Sequence, residues 1–254
     1  MKKFILLFAI ALTTASCTEL LKVANQISTT TGISPIITNA DNVAGLKSSL
    51  NVGIENAVSL LGKENGFLDD AALKLLLPEE AQSIVNNIKL IPGGQELVNK
   101  AVLSLNRSAE DAVKEATPIF KNAITSMTIN DALGILLGNQ DAATQYLRNT
   151  TYAQLKAAFA PKVKDSLGKP LVANISTTES WTALTSSYNK VAGTAVGSIA
   201  GMKAINVNLE EYVTEKALDA LFTKVANEEK AIRTDPAARV NDILKKVFGQ
   251  LDKK

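Results

Sequence analysis

The chain has 254 residues, of which 46% are apolar and 20% charged, and its formal net charge is +2. That composition supports one large or two small buried cores, and a charge so close to balance leaves no electrostatic footprint for nucleic acid. Histidine is absent and cysteine occurs once, at Cys17, so the commonest general base and transition-metal ligand is missing.

Met1-Lys2-Lys3 supplies a positive start, residues 4–12 an apolar run, and Thr13-Thr14-Ala15-Ser16 a stretch of small residues. This order reads as a secretory signal peptide over residues 1–16, and its apolar run is far short of the roughly 20 residues that cross a bilayer. Cys17 directly behind the small residues resembles a bacterial lipoprotein box of Bacteroidetes type, in which the thiol takes a diacylglycerol and becomes the mature N-terminus. Thr14 departs from the aliphatic residue usual there, and a cleaved signal with an incidental cysteine is the alternative. Cleavage removes Lys2 and Lys3 from 27 basic residues and leaves all 25 acidic ones, so the mature chain is near neutral. With Cys17 acylated, no thiol remains for a disulfide, a thiolate metal site or a nucleophile. Residues 17–40 read as the lipidated N-terminus and a tether, with turn formers at 29–35; a short helix from Leu20 to Ile27 is the other reading. Only Thr18-Glu19-Leu20-Leu21-Lys22 follows Cys17, without a cluster of acids, which points to the periplasmic face of the outer membrane.

The body spans 41–250. Val43, Leu46, Leu50, Ile54, Ala57, Val58 and Leu61 recur at three- and four-residue steps and predict a helix capped by Asp41 and stopped by Gly62. Pro78-Glu79-Glu80 opens the next helix, which Ile91-Pro92-Gly93-Gly94 closes. Leu97, Ala101, Leu105 and Ala109 mark a helix running to Ala116, and Thr117-Pro118 restarts the chain as N-cap and first helical residue. Thr128-Ile129-Asn130-Asp131 has the form of a capping box, Gly138 ends that short helix, and Asp141 caps the one carrying Tyr146 and Arg148. Thr150 or Thr151 caps a further helix that stops near Pro161. A break at 165–178 allows one body or two helical subdomains. Beyond it come a helix with Trp181, Leu184 and Tyr188, then Gly193, Gly197 and Gly201 at four-residue spacing. Asn208-Leu209-Glu210-Glu211 starts a long helix with a stripe through Leu209, Tyr212, Val213, Ala217, Ala220 and Leu221; Pro236 interrupts it. Ile243, Leu244, Val247 and Phe248 close the fold before the charged tail 251–254. Residues 33–38 and 172–178 are rich in Ile, Val and Thr but do not alternate as strands. The predicted class is all-α: a compact multi-helix bundle of roughly ten helices after a signal peptide and short tether.

Chemistry is sparse. Asn139-Gln140-Asp141 and Asn206-Val207-Asn208 hold fragments of a Ca²⁺ loop, but helix capping accounts for Asp141 and Asn208, and no metal or cofactor is expected. Glu228, Glu229 and Asp235 near Arg233 and Arg239 could serve acid/base work, yet Glu229 and Arg233 have the i,i+4 spacing of a helix ion pair. The Gly193/Gly197/Gly201 run suits close helix packing; twelve residues between Lys190 and Lys203 are too few to span a membrane, and a helix that opens to meet lipid is the alternative.

Several strings carry a family resemblance: Ala57-Val58-Ser59-Leu60-Leu61-Gly62-Lys63, Leu105-Asn106-Arg107-Ser108-Ala109-Glu110, Met127-Thr128-Ile129-Asn130-Asp131-Ala132, Ala142-Ala143-Thr144-Gln145-Tyr146-Leu147-Arg148, Tyr212-Val213-Thr214-Glu215-Lys216-Ala217-Leu218-Asp219, Ile232-Arg233-Thr234-Asp235-Pro236-Ala237-Ala238-Arg239, and the closing Leu244-Lys245-Lys246-Val247-Phe248-Gly249. Over 46–249 the chain resembles a bacterial envelope family catalogued as domain of unknown function 4197. The resemblance implies a periplasmic, mostly helical, lipoprotein-like domain and brings no activity. Its polar positions are the candidate site: Asn106, Arg107, Glu115, Asp131, Thr144, Tyr146, Arg148, Lys216, Asp219, Arg233, Asp235 and Arg239. They form either a buried network that fixes helix crossings or a pocket around Tyr146 and Arg148 for an anionic ligand. The expectation is a non-enzymatic, membrane-tethered binding or envelope-support protein. Its partners would be the membrane, through the N-terminal lipid, and an amphipathic or anionic small ligand or an envelope protein. A carboxylate-dependent hydrolase of glycans or phosphate esters and a lipid carrier are the alternatives.

Overall fold

The computed structural model describes residues 36–253. The signal peptide, Cys17 and the tether up to residue 35 lie outside the described residues, as does Lys254. Ten α-helices occur among the described residues and no strand: α1 Asn39–Leu61, α2 Gln82–Asn86, α3 Gly94–Val113, α4 Ala116–Ser126, α5 Ala132–Leu136, α6 Ala142–Gly168, α7 Thr177–Ala192, α8 Ala195–Ile199, α9 Leu209–Thr234 and α10 Asp242–Phe248. The fold is all-α. No described helix is long and apolar enough to cross a membrane.

Residues 39–254 form one unit with a continuous core from Leu46 to Phe248. The axis is α1 packed along α9, with α6 also against α9 and with α4 and α10 against α1. α3 joins this group to α7. Each stripe read from the sequence faces this core: Leu46, Leu50, Ile54 and Leu61 of α1 and Val213, Ala217 and Leu221 of α9 are fully buried. Burying such a side chain is worth roughly 1.5–3 kcal/mol, which is why the 3.6-residue period located these two helices correctly.

Several boundaries differ from the sequence reading. α1 starts at Asn39, so Asp41 lies in its first turn and is not its N-cap, and residues 79–90 form two 3₁₀ turns around the short α2 in place of one helix. The α4 helix begins one residue ahead of Thr117; its N-cap is Glu115, which makes no side-chain cap bond. The cap of α5 is Asp131 rather than Thr128: its carboxylate accepts from Gly134 N at 2.7 Å. α6 is one helix from 142 to 168, running through Pro161, with no restart at Thr150 or Thr151. Both hydroxyls bond back inside the helix, Thr150 Oγ1 to Tyr146 O at 2.7 Å and Thr151 Oγ1 to Leu147 O at 2.6 Å. That is the mid-helix alternative to capping for a hydroxyl side chain. Proline 161 lacks one backbone donor, but Leu155, Phe159 and Val163 around it are buried in the core and hold the helix on course.

Residues 172–175 form a tight turn: one isolated bridge joins Val172 to Ile175 around Ala173 and Asn174, both in the left-handed region, and Thr177 and Thr178 already belong to α7. It leads into a full capping box, Ser176 with Glu179, at the start of α7.

Candidate functional site

The predicted polar residues do not converge on one point; they fall into separate groups. The most buried centres on Glu229 of α9, whose carboxylate is fully enclosed. It accepts from Ala143 N at 2.9 Å, from Thr144 N at 2.7 Å, from Thr144 Oγ1 at 2.6 Å, and from Arg233 Nε and Nη2 at 2.9 and 2.7 Å. Arg233 in turn donates to Leu136 O at 2.6 Å and Ile135 O at 3.0 Å. One acid thus takes the unpaired N–H groups that open α6, and one guanidinium takes the carbonyls at the end of α5, where Ile135 O also accepts from Gly138 N at 3.2 Å. Asp141, the sequence N-cap of α6, makes no cap bond because Glu229 occupies that role. The Glu229–Arg233 ion pair expected from i,i+4 spacing is present.

Arg239 makes a second, C-terminal clasp. It is 3% exposed, donates to Ile232 O at 2.9 Å, and is held bidentately by Asp252 at 2.5 and 2.8 Å. The bond from Arg239 keeps the Asp252 carboxyl below its ordinary range. Asp235 caps the turn between them through Ala237 N at 2.9 Å.

A third group ties down residues 64–77. Asn106 is fully buried on α3; its amide donates to Leu75 O at 2.8 Å and accepts from Leu75 N at 2.9 Å. Neighbouring Arg107 donates to Glu110 at 2.6 Å and to Asn65 Oδ1 at 2.7 Å. Glu115 lies apart, exposed, 3.7 Å from Lys162.

Tyr146 and Arg148 do not form a shared pocket. Tyr146 donates to Thr128 O at 2.7 Å. Arg148 pairs with Asp219 at 2.5 Å and lies over the rings of Tyr152 and Phe222 at 4.9 and 5.1 Å. Burial, then the Asp219 charge, pushes the Tyr152 phenol up.

What Asn106 fixes in place is a strap, residues 74–78, extended along α9. Proline at 78 favours an extended residue before it. Between strap and helix lies a cleft of about 400 Å³ lined by Leu73, Lys74, Leu76, Leu77, Glu79, Gln82, Tyr212, Lys216, Asp219, Ala220 and Thr223. Only Lys216 and Asp219 of the sequence candidates line it. Tyr212 crosses to the strap, donating to Leu76 O at 2.7 Å, and burial pushes its phenol up to about 12, so it stays a donor. Lys216 sits 5.9 Å from the Tyr212 ring. Asp219 is neutralised by Arg148, whereas Lys74 and Lys216 have no ion pair among the described residues. With Glu79 the only unpaired acid lining it, the cleft carries a small positive excess beside an apolar wall in which Leu76 is 57% exposed. Lys74 and Gln82 escaped the sequence reading, and Glu79 entered it only as part of a helix start; the one available signal was a lysine interrupting the apolar run of residues 73–77.

Among the described residues no group of three or more His, Cys, Asp or Glu side chains is placed to hold a metal ion. No curated protein and no solved structure matches the chain. A family model does, over residues 36–249, and its description is a protein of unknown function. The match covers most of the chain and all ten helices, and the chain belongs to that family, DUF4197.

Proposed function

We propose that this is a non-enzymatic, membrane-tethered lipoprotein of the periplasm that binds an anionic, partly apolar ligand in the cleft between the strap and α9. The observation that carries the binding reading is the pair of unpaired lysines, Lys74 and Lys216, set beside the apolar wall of Leu73, Leu76 and Leu77. A headgroup with negative charge would take the ammonium groups and the Tyr212 edge, and a short apolar portion would lie on the leucines; such a mix of a few polar groups on an apolar wall is how small-ligand sites are built. Support for a non-enzymatic role comes from the acids themselves. Glu229, Asp252 and Asp219 are each already committed to an arginine, and Asp131 to a helix cap. The Gly193–Gly201 segment does not line this cleft, which favours a surface site over a lipid-carrying cavity built on that segment.

Calorimetric titration with dodecyl phosphate tests the cleft. Saturable binding is expected, weakened at least about tenfold by Lys74→Glu with Lys216→Glu, equivalent to about 1.4 kcal/mol; unchanged affinity in the double variant would remove the cleft from the account. The tether has its own test: metabolic labelling of cells with a fatty-acid analogue should mark the wild-type protein and leave Cys17→Ala unmarked, and equal labelling of the two would refute acylation at Cys17.

A further inference from the structure

The segment between α7 and α9 forms a lobe whose apolar side faces outward. Ile199 is 90% and Val196 58% exposed, and three-residue spacing on the one-turn helix α8 puts them on the same face. Their chain neighbours Ala195 and Ala200 are exposed too. Isolated exposed aliphatics are ordinary, but a contiguous group on a rigid support marks a contact surface.

The support is rigid. At the base of the lobe Asn189 donates to Ile205 O at 3.1 Å and accepts from Ile205 N at 2.9 Å. Met202 and Ile205 are buried and anchor the returning chain. Thr194 accepts from Gly197 N at 3.2 Å and donates to Val191 O at 2.7 Å. A Cβ on Gly197 would clash with Val191 O, and Gly201 has φ of +69°. The glycine run therefore folds the lobe tightly onto the end of α7 instead of packing two long helices together. The backbone holds Val196 and Ile199 on the exposed side of the lobe.

Charge identifies what covers this face. No acid occurs between Glu179 and Glu210, while Lys190 and Lys203 flank the lobe and have no ion pair among the described residues. We infer that the lobe is a bilayer-contact element, seating Val196 and Ile199 in the interface of a membrane that contains anionic lipid while Lys190 and Lys203 meet the headgroups. Apolar side chains entering the interface and lysines at anionic headgroups are the two contributions that hold peripheral elements on membranes. A second copy docked through the same face would bring like charges together. The inference does not depend on acylation of Cys17 or on the cleft.

The test uses the chain from residue 18 onward, which lacks both the apolar segment 4–12 and Cys17 and so carries neither anchor, with Ser198→Cys labelled with an environment-sensitive nitrobenzoxadiazole. Vesicles of phosphatidylcholine with phosphatidylglycerol should raise the emission and shift it to the blue, with apparent affinity falling at least about tenfold for vesicles of phosphatidylcholine alone. Ile199→Asp on the same background should weaken the response by about tenfold or more at unchanged melting temperature, since the side chain is exposed. Three results would overturn the inference: an emission indifferent to vesicles, a response that Ile199→Asp leaves intact, or a change that grows with protein concentration in the absence of lipid.

Discussion

Glu229→Ala is expected to destabilise the protein by about 3–5 kcal/mol, the cost of leaving one member of a buried ion pair uncompensated, and to lower the Tm by on the order of 10 °C. Five hydrogen bonds end on this carboxylate. Without it the Arg233 guanidinium, whose side chain is 4% exposed, keeps its charge in the core, and the first N–H groups of α6 lose their acceptor. The double variant Glu229→Leu with Arg233→Met removes the stranded charge and should cost clearly less than the sum of the two single variants. Chemical denaturation of the four proteins measures this directly. Additive losses would mean that Glu229 and Arg233 act independently and that the junction of α5, α6 and α9 is held by packing alone.

Asn106→Leu is the second large effect expected. The leucine conserves shape but leaves Leu75 N–H and Leu75 C=O buried without partners, at about 1–3 kcal/mol each. Because the same amide sets the strap against α9, the loss should be local as well as global. Hydrogen exchange of residues 72–78 should accelerate more than that of α9, and dodecyl phosphate affinity should fall although Asn106 does not line the cleft. Tyr212 holds the strap from its other side through Leu76 O, so the strap loosens without detaching. Equal acceleration throughout the molecule would show that Asn106 contributes to packing and not to strap position.

The contrast between these residues shows what a sequence can and cannot reveal. Helices α1 and α9 were legible because their stripes repeat over more than three turns, and burial acts on every repeat. Thr150, Thr151 and Pro161 misled because the same residue types punctuate helices and sit inside them; a hydroxyl bonding back to its own helix leaves no mark in the sequence. The acid that caps α6 lies 85 residues away from Thr144, beyond any local rule, although Glu229 and Arg233 were identifiable as a pair by their spacing. Family strings drew attention to Asn106, Arg107, Thr144 and Arg233, and each proves to join elements distant in the chain. These four residues therefore mark joints of the fold. The cleft was nearly invisible beforehand because Lys74 acquires meaning only once Asn106 has stretched the strap along α9. Glycines 193, 197 and 201 matched a helix-packing pattern, but that pattern cannot distinguish a straight helix from a chain turning at Gly201.

Native mass spectrometry of the protein released from its own membranes in mild detergent, compared with the Lys74→Glu, Lys216→Glu double variant, tests the binding role most directly. The account predicts an anionic amphiphile carried by the wild-type protein and absent from the double variant, with the two melting at the same temperature. The same adduct on both proteins, or none on the wild type, would contradict it.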